Sequence, residues 1–209
     1  MNRGNEEMHR LDLGPDVIRR LLPYRRPLLL VDRVRAYNRG AKNGRPALWT
    51  RRQISSNEEI FAGHFPGLHL WPGIYTQEGL GQSCFLLEVL VGMQTEWERQ
   101  GGDAEEFQKE LANLEAGYQL SSRFRADGSA KLARLTQNDR IGVSASVEMR
   151  FTQPVFGGQC LDYHVVRTHI VDAFHRFEVE ANVEGRAVAR GVMTAALGPQ
   201  IPNATTPDR

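Results

Sequence analysis

Residues 74–92 carry apolar side chains on nearly every side of a helix: Ile74, Tyr75, Leu80, Phe85, Leu86, Leu87, Val89, Leu90 and Val91. A helix apolar all round is a buried one, so this segment predicts the centre of the fold. Upstream, Pro15 suits a first helical turn, and Val17, Ile18, Leu21 and Leu22 follow at helical spacing until Pro23 and Pro27 end the helix. Residues 28–38, LLLVDRVRAYN, predict a strand that starts buried and ends half exposed. Gly40 and Asn43-Gly44 mark a turn before a second strand over 46–56. Downstream of the helix the period changes to two. Residues 141–152, 159–171, 174–184 and 187–197 alternate as strands, punctuated by Gly157-Gly158 and Glu184-Gly185.

Between the helix and these strands, residues 94–140 break the pattern. They hold a charged helix candidate over 103–116 and a possible hairpin at Asp127-Gly128. One buried helix and about six strands, most of them late in the chain, predict an α+β architecture with an antiparallel sheet wrapped around a long central helix. The expected organisation is a single domain over 15–197 with an insertion at about 94–140, and flexible termini at 1–14 and 198–209.

Composition narrows the setting. No apolar run reaches the length of a membrane span, and the polar start MNRGNEEMHR is unlike a secretory signal. Cys84 and Cys160 lie far apart without CxxC-type spacing, so neither a disulfide framework nor a structural zinc site is expected, and a cytoplasmic location is. The net charge of +1 hides an asymmetry: residues 1–60 hold 13 Lys/Arg against 7 Asp/Glu, while residues 94–118 hold 2 against 7. A basic N-terminal third suits an acidic partner. Its arginines are not interleaved with aromatics, which argues against nucleic acid.

Candidate chemistry is concentrated in the loop 57–73, NEEIFAGHFPGLHLWPG, and in the helix it enters. Glycines and a proline around His64 hold an imidazole in place, and imidazole exchanges protons near neutral pH. The helix begins at about Gly73, where the first amide N–H groups lack intrahelical partners and carry partial positive charge. Such donors suit the enolate-like oxygen of a thioester losing its α proton. Glu78 lies five residues on, ~7–8 Å along the helix, and a protonated carboxyl there can donate to a departing hydroxyl. Base, oxyanion donor and acid together are what elimination of water from a 3-hydroxyacyl thioester requires. Taken singly, each feature also has an ordinary structural explanation: a loop histidine, a glutamate near a helix start, a Pro-Gly turn.

Four segments resemble the FabZ-type 3-hydroxyacyl-acyl-carrier-protein dehydratases of the hot-dog superfamily. They are residues 18–34, IRRLLPYRRPLLLVDRV; 57–67, NEEIFAGHFPG; 72–82, PGIYTQEGLGQ; and 150–159, RFTQPVFGGQ. The resemblance spans 18–197 in the same order, with the family's separation of histidine and acid. It implies a hot-dog fold and conversion of a (3R)-3-hydroxyacyl-acyl carrier protein to the trans-2-enoyl form. His64 would take the C2 proton, Glu78 would protonate the leaving hydroxyl, and the Gly73 amide would hold the thioester oxygen. It implies a homodimer, in some assemblies a trimer of dimers, whose sites combine a histidine from one subunit with the acid of the other. No metal or cofactor is implied. Phe65, Trp71, Gly79, Gly81 and Gln82 fall where the acyl tunnel is expected, and Arg25 and Arg26 where the acidic carrier protein would dock. Glutamate at position 78, rather than aspartate, favours plain dehydration over the dehydratase/isomerase branch.

The chain departs from the family at Tyr24, where His is usual, at Arg26, where an aromatic is usual, and at Gly79 and Gly81, where alanine is usual. Its 94–140 segment is also long. Positions 79 and 81 point in different directions on a helix, so one glycine is expected to face substrate and the other to serve packing. Two other readings remain at this point: a hot-dog thioesterase or isomerase, and a carrier-binding scaffold subunit without turnover.

Overall fold

The computed structural model describes residues 9–40, 44–120 and 141–198. Seven strands form one sheet in the order β1-β2-β3-β5-β6-β7-β4, from β1 (His9–Leu13), β2 (Arg33–Asn38), β3 (Ala47–Gln53), β4 (Ile141–Phe151), β5 (Cys160–Val171), β6 (Phe174–Val183) and β7 (Arg186–Gly198). Every pairing is antiparallel. Period-two alternation puts Leu161, Tyr163 and Val165 of β5 on the buried face, with Asp162 and His164 on the other.

The buried face wraps around α2 (Gly73–Arg99), a helix of 27 residues spanning ~40 Å. Leu80, Leu86, Leu87 and Leu90 are wholly buried along it, each contributing roughly 1.5–3 kcal/mol by leaving water. Polar contacts fix its rotation against the sheet. The Ser83 and Thr50 hydroxyls lie 2.7 Å apart, Tyr37 donates to Gln94 Oε1 at 3.0 Å, and Arg167 of β5 reaches Glu88 at 2.8 Å. A buried polar group costs free energy unless paired, so these contacts choose one rotation of an otherwise uniformly apolar helix. The architecture is the hot-dog fold, α+β with an antiparallel sheet around a central helix.

Three expectations change. Residues 9–13 are not a flexible terminus but the edge strand β1: Leu11 and Leu13 are buried while Asp12 between them pairs with Arg33 at 3.1 Å. Leu29, Leu30 and Val31 are buried, but residues 28–32 are not strand, because the Leu30 N–H is taken by the Gln82 side chain at 2.8 Å instead of a ladder partner. The central helix continues to Arg99, so 94–99 belongs to it and not to an insertion; Gln94 and Trp97 are buried along that extension. The charged segment forms α3 (Ala104–Leu120). Its Phe107 and Leu111, four residues apart on one face, are fully buried where α3 packs against β1 and the short α1 (Pro15–Leu21). The first half of the insertion thus covers the β1 end of the sheet. The Asp127-Gly128 hairpin and residues 199–209 lie outside the described residues. No described helix is long and apolar enough to cross a membrane.

Candidate active site

The loop before α2 is built to hold one imidazole. A 3₁₀ turn, Glu59–Ala62, ends with the N–H groups of Gly63 and His64 both donating to the Ile60 carbonyl, at 3.1 and 2.9 Å. The next turn is closed by a reciprocal pair, Phe65 N–H to Leu68 O at 2.9 Å and Leu68 N–H to Phe65 O at 2.8 Å. Pro66 and Gly67 occupy its centre, and the positive φ of 83° at Gly67 is the reason for a glycine there. The loop is then tied down: Trp71 N–H donates to Val155 O at 2.8 Å, and Gly157 N–H to His69 O at 2.9 Å. Beneath it the buried Arg52 of β3 pairs with Asp32 at 2.9 Å and Glu58 at 2.5 Å, its guanidinium 5.8 Å from the centre of the Trp71 ring.

His64 Nδ1 lies 2.9 Å from the Leu70 carbonyl oxygen. A carbonyl only accepts, so Nδ1 carries the proton and Nε2 keeps its lone pair in the neutral ring. The ring stacks on Phe65 at 4.3 Å. His64 lines a cavity of about 450 Å³ together with Trp71, Gly73, Thr76, Phe151, Val188 and Ala189, among others. At the start of α2, Pro72 offers no side-chain cap, and its carbonyl receives the amides of Tyr75 and Thr76. The Gly73 N–H has no partner among the described residues. The Phe151 ring lies against Gly73, where an added methyl would meet it at 3.2 Å.

Glu78 does not line this cavity. At ~100° per residue it is turned ~200° from Thr76 and faces away from His64 of its own chain. There it is held by Gln82, one turn on, whose Nε2 donates to Glu78 Oε1 at 2.9 Å and to Leu28 O at 2.5 Å, while Gln82 Oε1 accepts from Leu30 N–H at 2.8 Å. Gln82 is wholly buried and committed on both atoms. It orients the Glu78 carboxyl, leaves the second oxygen, Oε2, outside this clamp, and is not among the residues that line the cavity. Burial, and secondly the nearby Glu78 charge, hold the Tyr24 phenol above its usual range, so it stays protonated. Arg25 and Arg26 are exposed just before Leu28, and Arg25 donates to the carbonyls of Leu22 and Tyr24. The arginines therefore lie on the Glu78 side of the subunit, connected to it through Leu28 and Gln82.

The remaining expected tunnel residues divide. Trp71 lines the cavity; Phe65 is about half exposed outside its lining. Gly79 is the packing glycine: a methyl there would fall 2.4 Å from the Tyr163 hydroxyl, inside the core. Gly81 is half buried, and a methyl there would meet only the mobile end of Met193, at 3.3 Å. Gly79→Ala is expected to destabilise the protein by ~1–3 kcal/mol although alanine is the better helix former. Gly81→Ala should be neutral or add up to ~1 kcal/mol. The Tyr163 hydroxyl has no hydrogen-bond partner among the described residues, so Tyr163→Phe should recover part of the Gly79→Ala loss. Urea midpoints test this, and a stabilised Gly79→Ala protein would refute the packing assignment. The cavity residues Thr76, Phe151, Val188 and Ala189 were not anticipated; the sequence signals were that Thr76 falls in the segment 72–82 and Phe151 in the segment 150–159.

A sheet wrapped around a buried helix, with a histidine loop and a cavity at that helix's N-terminus, defines a hot-dog protein. The FabA-like domain family model matches residues 22–110. A 3-hydroxyacyl-[acyl-carrier-protein] dehydratase FabZ of Anaeromyxobacter sp. (strain Fw109-5) is 30% identical over 182 residues, 87% of this chain and 88% of the relative. Another, of Erythrobacter litoralis (strain HTCC2594), is 28% identical over 176 residues, 84% and 87% of the two chains. Among solved structures, the dehydratase heterocomplex ApeI:P from Xenorhabdus doucetiae is similar at a TM-score of 0.49 and 17% identity, over 90% of this chain and 92% of that one. The chain belongs to the FabZ family of 3-hydroxyacyl-[acyl-carrier-protein] dehydratases.

Proposed function

We propose that this protein removes water from (3R)-3-hydroxyacyl thioesters carried on acyl carrier protein, giving the trans-2-enoyl thioester, as a homodimer with shared sites. The observation that carries the reading is that His64 lines the cavity at the start of α2 while Glu78, turned ~200° on that helix from the cavity residue Thr76, does not. One subunit holds a base beside an unpartnered helix amide; the acid, clamped by Gln82, faces outward for a second copy's cavity. The outer edge of β4 is a ready pairing surface: it is 11 residues long, lies at the end of the sheet and exposes Val143. Joining two such edges about a two-fold axis makes one continuous sheet. Ile74 and Phe65, exposed next in sequence to the cavity residues Gly73 and His64, and Phe151 of the cavity wall would be covered in the same step.

In the reaction, His64 Nε2 removes a proton from C2 and the electrons move toward the thioester oxygen, which the Gly73 amide holds. The C3–O bond then breaks, and the hydroxyl leaves as water with the proton from the partner subunit's Glu78. Retention of both groups favours dehydration over thioester hydrolysis or a silent scaffold. Arg25 and Arg26 flank the Glu78 side of the shared site, where an acidic carrier would present its pantetheine arm. Assay of carrier-linked and small 3-hydroxyacyl thioesters tests both points. Reversing Arg25 and Arg26 to glutamate should raise KM for the carrier-linked substrate several-fold, more at low salt, and leave the small thioester unchanged. An equal effect on both substrates would remove the docking role. Absence of turnover on either by the wild-type protein would remove the dehydratase reading.

A further inference from the structure

Thr76 is 2% exposed and lines the His64 cavity. Other hydroxyl residues of α2 return their proton to the helix: Ser83 donates to Gly79 O and Thr95 to Val91 O, each at 2.8 Å. The Thr76 hydroxyl makes no such bond and has no other partner among the described residues. Its neighbours in the wall are largely apolar: Leu70, Trp71, Phe151, Val155, Val188 and Ala189. The residue is largely buried, but its hydroxyl borders the cavity and is not sealed in the core, so its proton is free to be donated to a molecule that enters.

Its position says which atom. Thr76 follows Gly73 by three residues, so the two lie ~60° apart on one side of the helix. Helical side chains lean toward the N-terminus, which carries the Thr76 hydroxyl back over the first turn, on the side of the unpartnered Gly73 N–H. We propose that Thr76 is a catalytic residue that donates a second hydrogen bond to the thioester oxygen, beside the Gly73 amide. As His64 takes the C2 proton, negative charge grows on that oxygen, and two donors stabilise it better than one. Thr76 keeps its own proton throughout. The C2=C3 bond forms, the C3–O bond breaks, and water leaves with the proton from Glu78. This role rests on the dehydration reading.

The test compares Thr76→Val, which keeps the shape and loses the hydroxyl, with Thr76→Ser, which keeps the hydroxyl, in the full chain. Thr76→Val should lower kcat about 10²-fold with KM little changed, and Thr76→Ser should stay within about threefold of the wild type. Near-normal turnover in Thr76→Val, or equal losses in both variants, overturns the role. A second readout needs no turnover: the infrared carbonyl stretch of a bound, carbonyl-labelled saturated acyl-pantetheine thioester. It should lie lower in the wild type and Thr76→Ser than in Thr76→Val, and the same frequency in all three overturns the hydrogen bond. A wild type that fails to dehydrate yet shows the frequency difference refutes the dehydratase reading and leaves the Thr76 contact standing.

Discussion

His64→Ala and Glu78→Gln should each lower dehydration by ~10²–10⁴-fold while leaving the fold intact. Neither side chain is buried in the core. The glutamine at 78 keeps an oxygen for the Gln82 amide, so the clamp to Leu28 and Leu30 survives and only the transferable proton is lost. Because the two groups face opposite ways on one subunit, the defects should complement. Exchanging subunits between the two inactive proteins makes mixed dimers, each with one site that has both groups, and should return about one quarter of wild-type activity at random pairing. Near-normal turnover by Glu78→Gln would show that another group is the acid. No recovery after confirmed subunit exchange would show that the acid comes from the same chain.

Much of this site was legible because it is local. His64 is placed by a turn whose Pro66-Gly67 centre is written in the sequence, and Gly73 by the start of a helix that is apolar all round. The Glu78–Gln82 contact was readable as an i, i+4 pair. What Gln82 holds was not, because Leu28 and Leu30 lie 54 and 52 residues away, and no periodicity carries that distance. The same limit applies to Phe151, which reaches Gly73 across the whole insertion. Strand β1 escaped notice because five residues alternate too briefly to separate from a polar terminus. At the two glycines, sequence predicted divided roles, but only the buried Tyr163 ring decides which one serves packing. The opposite facing of His64 and Glu78 follows from helix rotation; that they would serve a shared site came from family resemblance.

The largest stability effect is expected away from the chemistry, at Glu88. Its carboxylate is 8% exposed and accepts from Arg167 Nη1 at 2.8 and 3.1 Å; His175 Nδ1 lies 3.0 Å away without a hydrogen bond to it. Arg167 and His175 are themselves only 15% and 14% exposed, so this contact between α2, β5 and β6 is largely shielded from water. The charge is felt nearby: burial first, then Glu88, pushes the Cys84 thiol up. Glu88→Ala strands a guanidinium in the sheet face and should cost ~3–5 kcal/mol. Replacing both partners with apolar residues, Glu88→Leu with Arg167→Met, should recover most of that loss, because a buried pair exchanged for well-packed apolar groups is often neutral. Glu88 is ten residues from Glu78, ~15 Å along the helix, so kcat at a temperature where the variants remain folded should change by no more than a few-fold. Denaturant midpoints at fixed protein concentration, read beside kcat, decide the matter. A Glu88→Ala protein within ~0.5 kcal/mol of wild type, the range usual for surface substitutions, would mean that water reaches and solvates Arg167 in a way this geometry does not allow.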